Sequence, residues 1–417
     1  MRNQTALDEF PAKVPLRERS PEQISRLQRQ GLRLEGTQTG LFRNLIDRFA
    51  FDLFAMTMGT GVVALMLPKL NPSLAPAGRI VWLANIALFS LLTVAGLGKF
   101  MSDRNGFFDL FKDPKRSMFF GTLPMGLATI GNGTLLYGTT LFGQHFAGAS
   151  LAIYIADAAI ALASGFIIPH LMFTTHEHRL DRMTAIWLLP IVPAEVTSVS
   201  GGLLIPHLNH ASQIDVLWSS FILWTLSVPV AMLVLGAVLM RLVIYGVPES
   251  NSAVTSWLTL GPLGTGAAGM VLLGSDAQSA LAHTALAAVG PAVYGAGLVL
   301  GLALWGFGLW WWVSSIALSI RYIAKRSHPF NLGWWGFTFP LGVMNLATYL
   351  LGSATHFTPI TLLAEFMTVL LVGLWAVVAV LSLKGFLNGS LPAEIATRED
   401  FYDSGDEIGE ALEGARS

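Results

Sequence analysis

The 417-residue chain is 53% hydrophobic and only 12% charged, where soluble domains carry about a quarter charged residues, so its main solvent is lipid. Its 25 Lys and Arg against 26 Asp and Glu leave no basic surface to drive nucleic-acid binding. Cysteine is absent, which excludes disulfides, thiolate nucleophiles and Cys-ligated zinc.

Residues 1–48 are polar and mixed in charge. They lack the basic start, apolar core and small-residue cleavage site of a signal peptide, and are expected to form a cytoplasmic tail. Within it Ser20-Pro21-Glu22-Gln23 reads as an N-cap, a proline at the first helical position and a capping-box Gln, so a short surface helix through Leu27 is expected. Ten apolar stretches follow, near 49–68, 79–99, 118–142, 150–173, 184–206, 214–245, 254–274, 291–320, 333–352 and 360–386, each meeting the ~20 residues needed to cross hydrocarbon. The tails and alternate connections hold 23 of the 25 Lys and Arg residues, leaving Lys69 and Arg79 on the other side. Positive loops resist translocation, so both tails are placed in the cytoplasm. Residues 387–417, acidic from Glu399 to Glu413, have little to bury and are expected to be disordered.

The odd spans differ in kind from the even ones. Span one holds Met58-Gly59-Thr60-Gly61, span three Gly121-Thr122-Leu123-Pro124-Met125-Gly126, and span five Pro190, Pro193, Glu195, Ser198, Gly201 and Gly202. Span seven holds Gly261-Pro262-Leu263-Gly264-Thr265-Gly266 and span nine Thr338-Phe339-Pro340-Leu341-Gly342, whereas the even spans are rich in Leu, Val, Ala and Trp. Proline and glycine at membrane depth free backbone groups that only protein or water can satisfy, so the odd spans are expected to face an interior. Five hairpins, each pairing a kinked inner helix with an apolar outer one, then form a ring around a central path. Small residues that merely let helices pack closely are the competing explanation. The Trp310-Trp311-Trp312 run and Trp334-Trp335 read as interfacial anchors.

Two segments, Pro114 to Gly126 and Phe330 to Gly342, resemble the tellurite-resistance/dicarboxylate transporter family, which includes malate permeases, sulfite exporters and plant slow-type anion channels. The Met58-Gly59-Thr60-Gly61 and Leu188-to-Glu195 runs are also similar to it, so the resemblance covers 49–386. It implies an all-α integral membrane fold of ten helices, arranged as five hairpins in a quasi-fivefold barrel, in a cell (inner or plasma) membrane and as a homotrimer. It also implies a phenylalanine that plugs the pore. Phe339 matches that position and Phe337 is the second candidate; an aromatic simply packed against a neighbouring helix is the alternative. The implied activity is transport of C4-dicarboxylates such as malate, or of sulfite, with a passive chloride or nitrate channel as the competing function.

The expected partners are a small anion and membrane lipid, with no cofactor and no metal. No Lys or Arg falls in the middle of an odd span, so an anion must be drawn by exposed helix N-termini, with Thr60, Thr122, Ser198, Thr265 and Thr338 as hydroxyl donors. Gly59, Gly61, Gly201, Pro124 and Pro340 complete the expected lining. Glu195, midway along span five, is either a proton-coupling group or a hydrogen-bonded brace. Asp157 in span four is expected to pair between hairpins. His176-Glu177-His178 has too few ligands for zinc and reads as a solvated loop. With isolated acids and no nucleophile–base cluster, the chain is not expected to be an enzyme.

Overall fold

The computed structural model describes residues 41–248, 250–324, 330–388 and 391. The helix expected near Ser20 and the acidic tail beyond 391 lie outside the described residues. The chain divides into two units, 1–47 and 48–417; in the first, Leu41–Asp47 is helical.

In the second unit every described element is a helix. Seven stretches are long and apolar enough to cross a membrane: Phe51–Leu70, Pro72–Ser102, Phe146–Thr174, His210–Tyr245, Val254–Ala280, Gly290–Ala324 and Thr358–Leu387. That number and composition make a multi-pass membrane protein. The principal helices are α1 (Ala55–Leu70), α2 (Ala75–Ser102), α3 (Thr122–Gly133), α4 (Phe146–Thr174), α5 (Pro193–Leu204), α6 (His210–Tyr245), α7 (Leu260–Ala280), α8 (Gly290–Ala324), α9 (Phe339–Thr355) and α10 (Thr358–Leu387). Stretches 118–142, 184–206 and 333–352 contain α3, α5 and α9, none of them an unbroken helix of spanning length.

The alternation read from composition reappears in the backbone. Even helices run unbroken for 28 to 36 residues. Each odd helix instead begins from a 3-10 segment, at Phe51–Phe54, Ser117–Gly121, Ala185–Leu188, Ser250–Thr259 or Leu332–Phe337. Prolines sit in the first turn after four of these: Pro124, Pro193, Pro262 and Pro340. A first-turn proline lacks an N–H that would have no intrahelical partner anyway, so it starts a helix rather than kinking one. α3 continues through a π-helical turn, Thr134–Gly138.

The altered backbone at these junctions leaves carbonyls that neighbouring helices satisfy, as a low-dielectric surrounding requires. Ser164 of α4 donates to Pro190 O at 3.1 Å, Ser227 of α6 to Ile191 O at 2.9 Å, Ser315 of α8 to Ser256 O at 2.8 Å and Thr122 to Phe51 O at 2.6 Å. Outer helices also reach the next inner one through tryptophan. Trp82 donates to Ile130 O, Trp224 to Gly266 O, Trp305 to Thr348 and Trp375 to Thr60.

Packing follows the same order. α1 packs on α3, α3 on α5, α5 on α7, α7 on α9 and α9 on α1, while each even helix packs on the odd helices before and after it. In the apolar part of Phe51–Leu70 and of Val254–Ala280, 78% and 83% of residues are buried, against 17% to 39% in the five stretches that hold the even helices. The even helices thus turn Val94, Phe166, Leu233, Val299 and Leu362 outward. At roughly 1.5–3 kcal/mol per large apolar side chain left in water, that surface is stable only against hydrocarbon.

The tryptophan runs depart from expectation. Trp311, Trp312 and Trp335 are buried and Trp310 is exposed, because successive helical residues point about 100° apart and a run cannot face lipid as a whole.

Candidate functional site

Each inner helix follows a 3-10 segment, and carbonyls of the preceding chain accept from N–H groups at several of the starts: Ala55 N–H bonds to Asp52 O, Thr122 N–H to Phe119 O and Val196 N–H to Val192 O. What each start contributes is the positive end of the helix dipole. Most of the residues expected to line a path cluster at or just after these starts.

Gly59 of α1 lies against the start of α9: a Cβ there would stand 2.2 Å from Thr338 Oγ1 and 2.7 Å from the Trp335 ring. Gly61 faces Thr129 and Asn85, and Gly201 faces Ser220 and Tyr154, in the same way. These glycines occupy helix–helix contacts too close for any side chain. Pro124 and Pro340 are both buried.

The hydroxyls are placed less simply. Thr122 donates to Phe51 O and Phe119 O, Thr265 to Gly261 O at 2.7 Å and Thr338 to Trp335 O at 2.7 Å, while Thr60 accepts from Trp375. A hydroxyl has one proton, so Thr122, Thr265 and Thr338 as placed present lone pairs. Ser198 differs: its Oγ is fully buried and has no partner.

Glu195 lies three residues before Ser198, one turn away on α5, and is 0% exposed with neither carboxylate oxygen hydrogen-bonded. The polar side chain beside the carboxyl is Thr265 of α7, whose proton goes to Gly261. The structure thus brings Glu195, Ser198 and Thr265 together between two inner helices, where unmet polar capacity is costly. On the opposite flank of α5, Asp157 of α4 accepts from Thr197 at 2.7 Å. This is a pairing between hairpins, and its second oxygen has no partner.

The two phenylalanines have different surroundings. Phe337 ends the 3-10 segment and packs edge-on against Trp257 and Trp334, at centroid distances of 5.1 and 5.7 Å. Phe339 opens α9, is 2% exposed, and has no ring–ring contact among the described residues.

Two groups escaped notice in the sequence. Asp276, in the last turns of α7, is 7% exposed with Oδ2 unpartnered, and it lies 3.6 Å from where Gly202 would carry a Cβ. Arg241, near the end of α6, is 7% exposed; a cation inside an apolar 36-residue helix was the signal available for it. At the same end of the bundle, His176 is hydrogen-bonded to Phe111 O at 2.8 Å, and the ring of His178 lies 4.9 Å from that of Trp187. Among the described residues no three His, Asp or Glu side chains gather as metal ligands.

Residues 48–383 match the family described as voltage-dependent anion channels. The sulfite efflux pumps of Arthroderma benhamiae and Trichophyton rubrum are each 30% identical over 81% of this chain and 90% of their own. The malic acid transport protein of Schizosaccharomyces pombe is 20% identical over 83% of this chain and 80% of its own. With the match spanning the whole helical unit, the chain belongs to the voltage-dependent anion channel family, the tellurite-resistance/dicarboxylate transporter group that its span-three and span-nine motifs resemble.

Proposed function

We propose that this protein moves small anions across a cell membrane through a path enclosed by α1, α3, α5, α7 and α9, with sulfite as its principal substrate. In this reading the chain makes ten spans, 49–386, as five hairpins in a quasi-fivefold barrel, with the tails at 1–48 and 387–417 in the cytoplasm. The observation that carries it is the closed cycle of packing among the five odd helices, each begun by a 3-10 segment. Such a ring aims several helix N-termini inward and can hold an anion loosely without a central cation, which suits fast passage.

Phe339 is the proposed gate. Its ring is buried but held by no aromatic partner, whereas Phe337 is clamped between Trp257 and Trp334. Sulfite is favoured over malate because the sulfite efflux relatives are the more similar, at 30% against 20% identity, and because no paired Arg side chains stand in the inner helices to clamp a dicarboxylate. Glu195 is the proposed proton-coupling group. A passive chloride or nitrate channel is the second reading, favoured by the description of the family.

Flux of sulfite, malate, succinate, chloride and nitrate into proteoliposomes, with and without a pH gradient, separates these. Sulfite flux that responds to the gradient supports the proposal, and chloride or nitrate flux indifferent to it establishes the channel. Phe339→Ala is expected to raise leak about tenfold or more, as removal of an apolar constriction does. Unchanged leak would remove Phe339 from the gate.

A further inference from the structure

At the end of the bundle where α5 and α7 begin, a cavity of about 20 Å³ lies between α6, α8 and the segments leading into α5 and α7. Thr184, Arg241, Ser256, Trp311 and Tyr322 are among its lining residues. That volume accommodates about one water molecule or an ion of similar size.

Its lining is one-sided. Arg241 donates from Nε and Nη2 to Asp181 O at 3.0 and 2.7 Å, and from Nη1 to Gly246 O at 2.6 Å. Three of the five guanidinium N–H groups are thereby used and two are left. No carboxylate forms an ion pair with it among the described residues; the Asp181 carboxylate is turned to Arg179, at 3.2 Å. Among the described residues, the charge of a side chain 7% exposed is therefore met by carbonyl dipoles alone. Trp311, 1% exposed, has its Nε1 without a partner, and an indole N–H can only donate.

Hydroxyls nearby are engaged, though each keeps acceptor capacity. Tyr322 donates to Pro248 O, and Thr184 Oγ1 already accepts from Ile186 N at 3.4 Å. The Ser256 carbonyl accepts from Thr259 and Ser315. A water placed here could accept from Arg241 and Trp311 and pass its protons to the remaining lone pairs of Thr184 and Tyr322, but it would leave the guanidinium charge uncompensated. An anion only accepts, and it also neutralises the guanidinium.

We propose that this cavity is a binding site for a small monovalent anion of halide size, held between Arg241 and Trp311. It lies at an outer seam and is separate from the path enclosed by the odd helices, so it stands or falls independently of which anion the protein transports. Its occupant ties the end of α6 to α8 and to the chain on either side of Asp181. An oxyanion as large as sulfate is excluded by volume.

The test is thermal unfolding of the full-length protein in detergent, titrated with chloride or with sulfate at constant ionic strength, together with crystals grown in bromide. The melting temperature is expected to rise saturably with chloride, and with sulfate only in the gradual, non-saturating way of an ion excluded from the protein surface. Anomalous density for bromide is expected between Arg241 and Trp311. Trp311→Phe is expected to weaken the apparent chloride affinity about tenfold, the equivalent of one hydrogen bond, and Arg241→Gln to abolish the chloride response. Should Arg241→Gln not fold, Trp311→Phe still reads the site. Bromide density absent from this cavity, or a chloride response identical in wild type and Trp311→Phe, overturns the assignment; the latter places the stabilising ion elsewhere.

Discussion

Glu195 and Ser198 are one turn apart on α5, both fully buried, and between them leave three oxygen atoms without a hydrogen bond. A buried carboxylate in that condition is maintained against a cost of several kcal/mol unless it is neutral or hydrated. If it exchanges a proton as an anion passes, Glu195→Gln is expected to preserve the fold and to lower gradient-driven sulfite flux about tenfold, a ~1.4 kcal/mol effect, while exchange without a gradient is kept. Equal loss of both would instead make Glu195 a brace. His178 offers a second titration, outside the spans. Burial, and secondarily the neighbouring His176, hold its imidazole below the ordinary 6.5, so it is neutral in the folded protein at a pH where an unfolded chain binds the proton. Its stability contribution is therefore complete above pH 6.5 and declines as pH falls from there toward the lowered folded value. Melting temperature measured against pH should show this acid-side decline, and His178→Gln should flatten it. At this scale the sequence displayed Glu195, because an acid in an apolar span stands out. It hid the difference between Phe337 and Phe339, which depends on Trp257, some eighty residues away along the chain.

The elements carry the alternation between odd and even spans in two distinct ways. Glycines and prolines are visible as letters, but their roles differ in the fold. Prolines 124, 193, 262 and 340 start helices after 3-10 segments, whereas the glycines permit close contact. Gly264 is an example of the latter: a Cβ there would lie 2.5 Å from the backbone nitrogen of Met344 on α9. Backbone cannot swing aside, so Gly264→Ala is expected to destabilise by about 2–3 kcal/mol, the upper part of the overpacking range. Gly236 on α6 has nothing within 4 Å, and Gly236→Ala is expected to be neutral or stabilising by up to about 1 kcal/mol through helix propensity. Chemical denaturation of the two variants in the same detergent checks both. In the sequence Pro193 and Pro340 read as kinks inside spans 184–206 and 333–352, whereas the structure starts a helix at each, because a first-turn proline has no N–H to leave unpaired. The 3-10 lead-in at Phe51–Phe54 and the π turn at Thr134–Gly138 were not legible, since no single residue type demands them.

For the molecule as a whole, packing of α9 back on α1 turns a linear series of hairpins into a cycle. The chain has no cysteine, so single cysteines can be introduced without background. Along the odd spans they are expected to react with aqueous thiol reagents on one face only, and the outward positions of the even spans, such as Leu233 and Val299, are expected to be inert. Reactive even spans would turn the arrangement inside out. Composition alone determined that lipid is the solvent, where the apolar stretches run, and that odd and even ones differ, because hydropathy and helix-breaking residues act locally. Only the tertiary structure decided which hydroxyls donate to a carbonyl, which phenylalanine has aromatic neighbours among the described residues, and that Arg241 and Trp311 line one cavity. Those outcomes depend on which side chains from distant helices arrive at the same depth, and no local pattern encodes that.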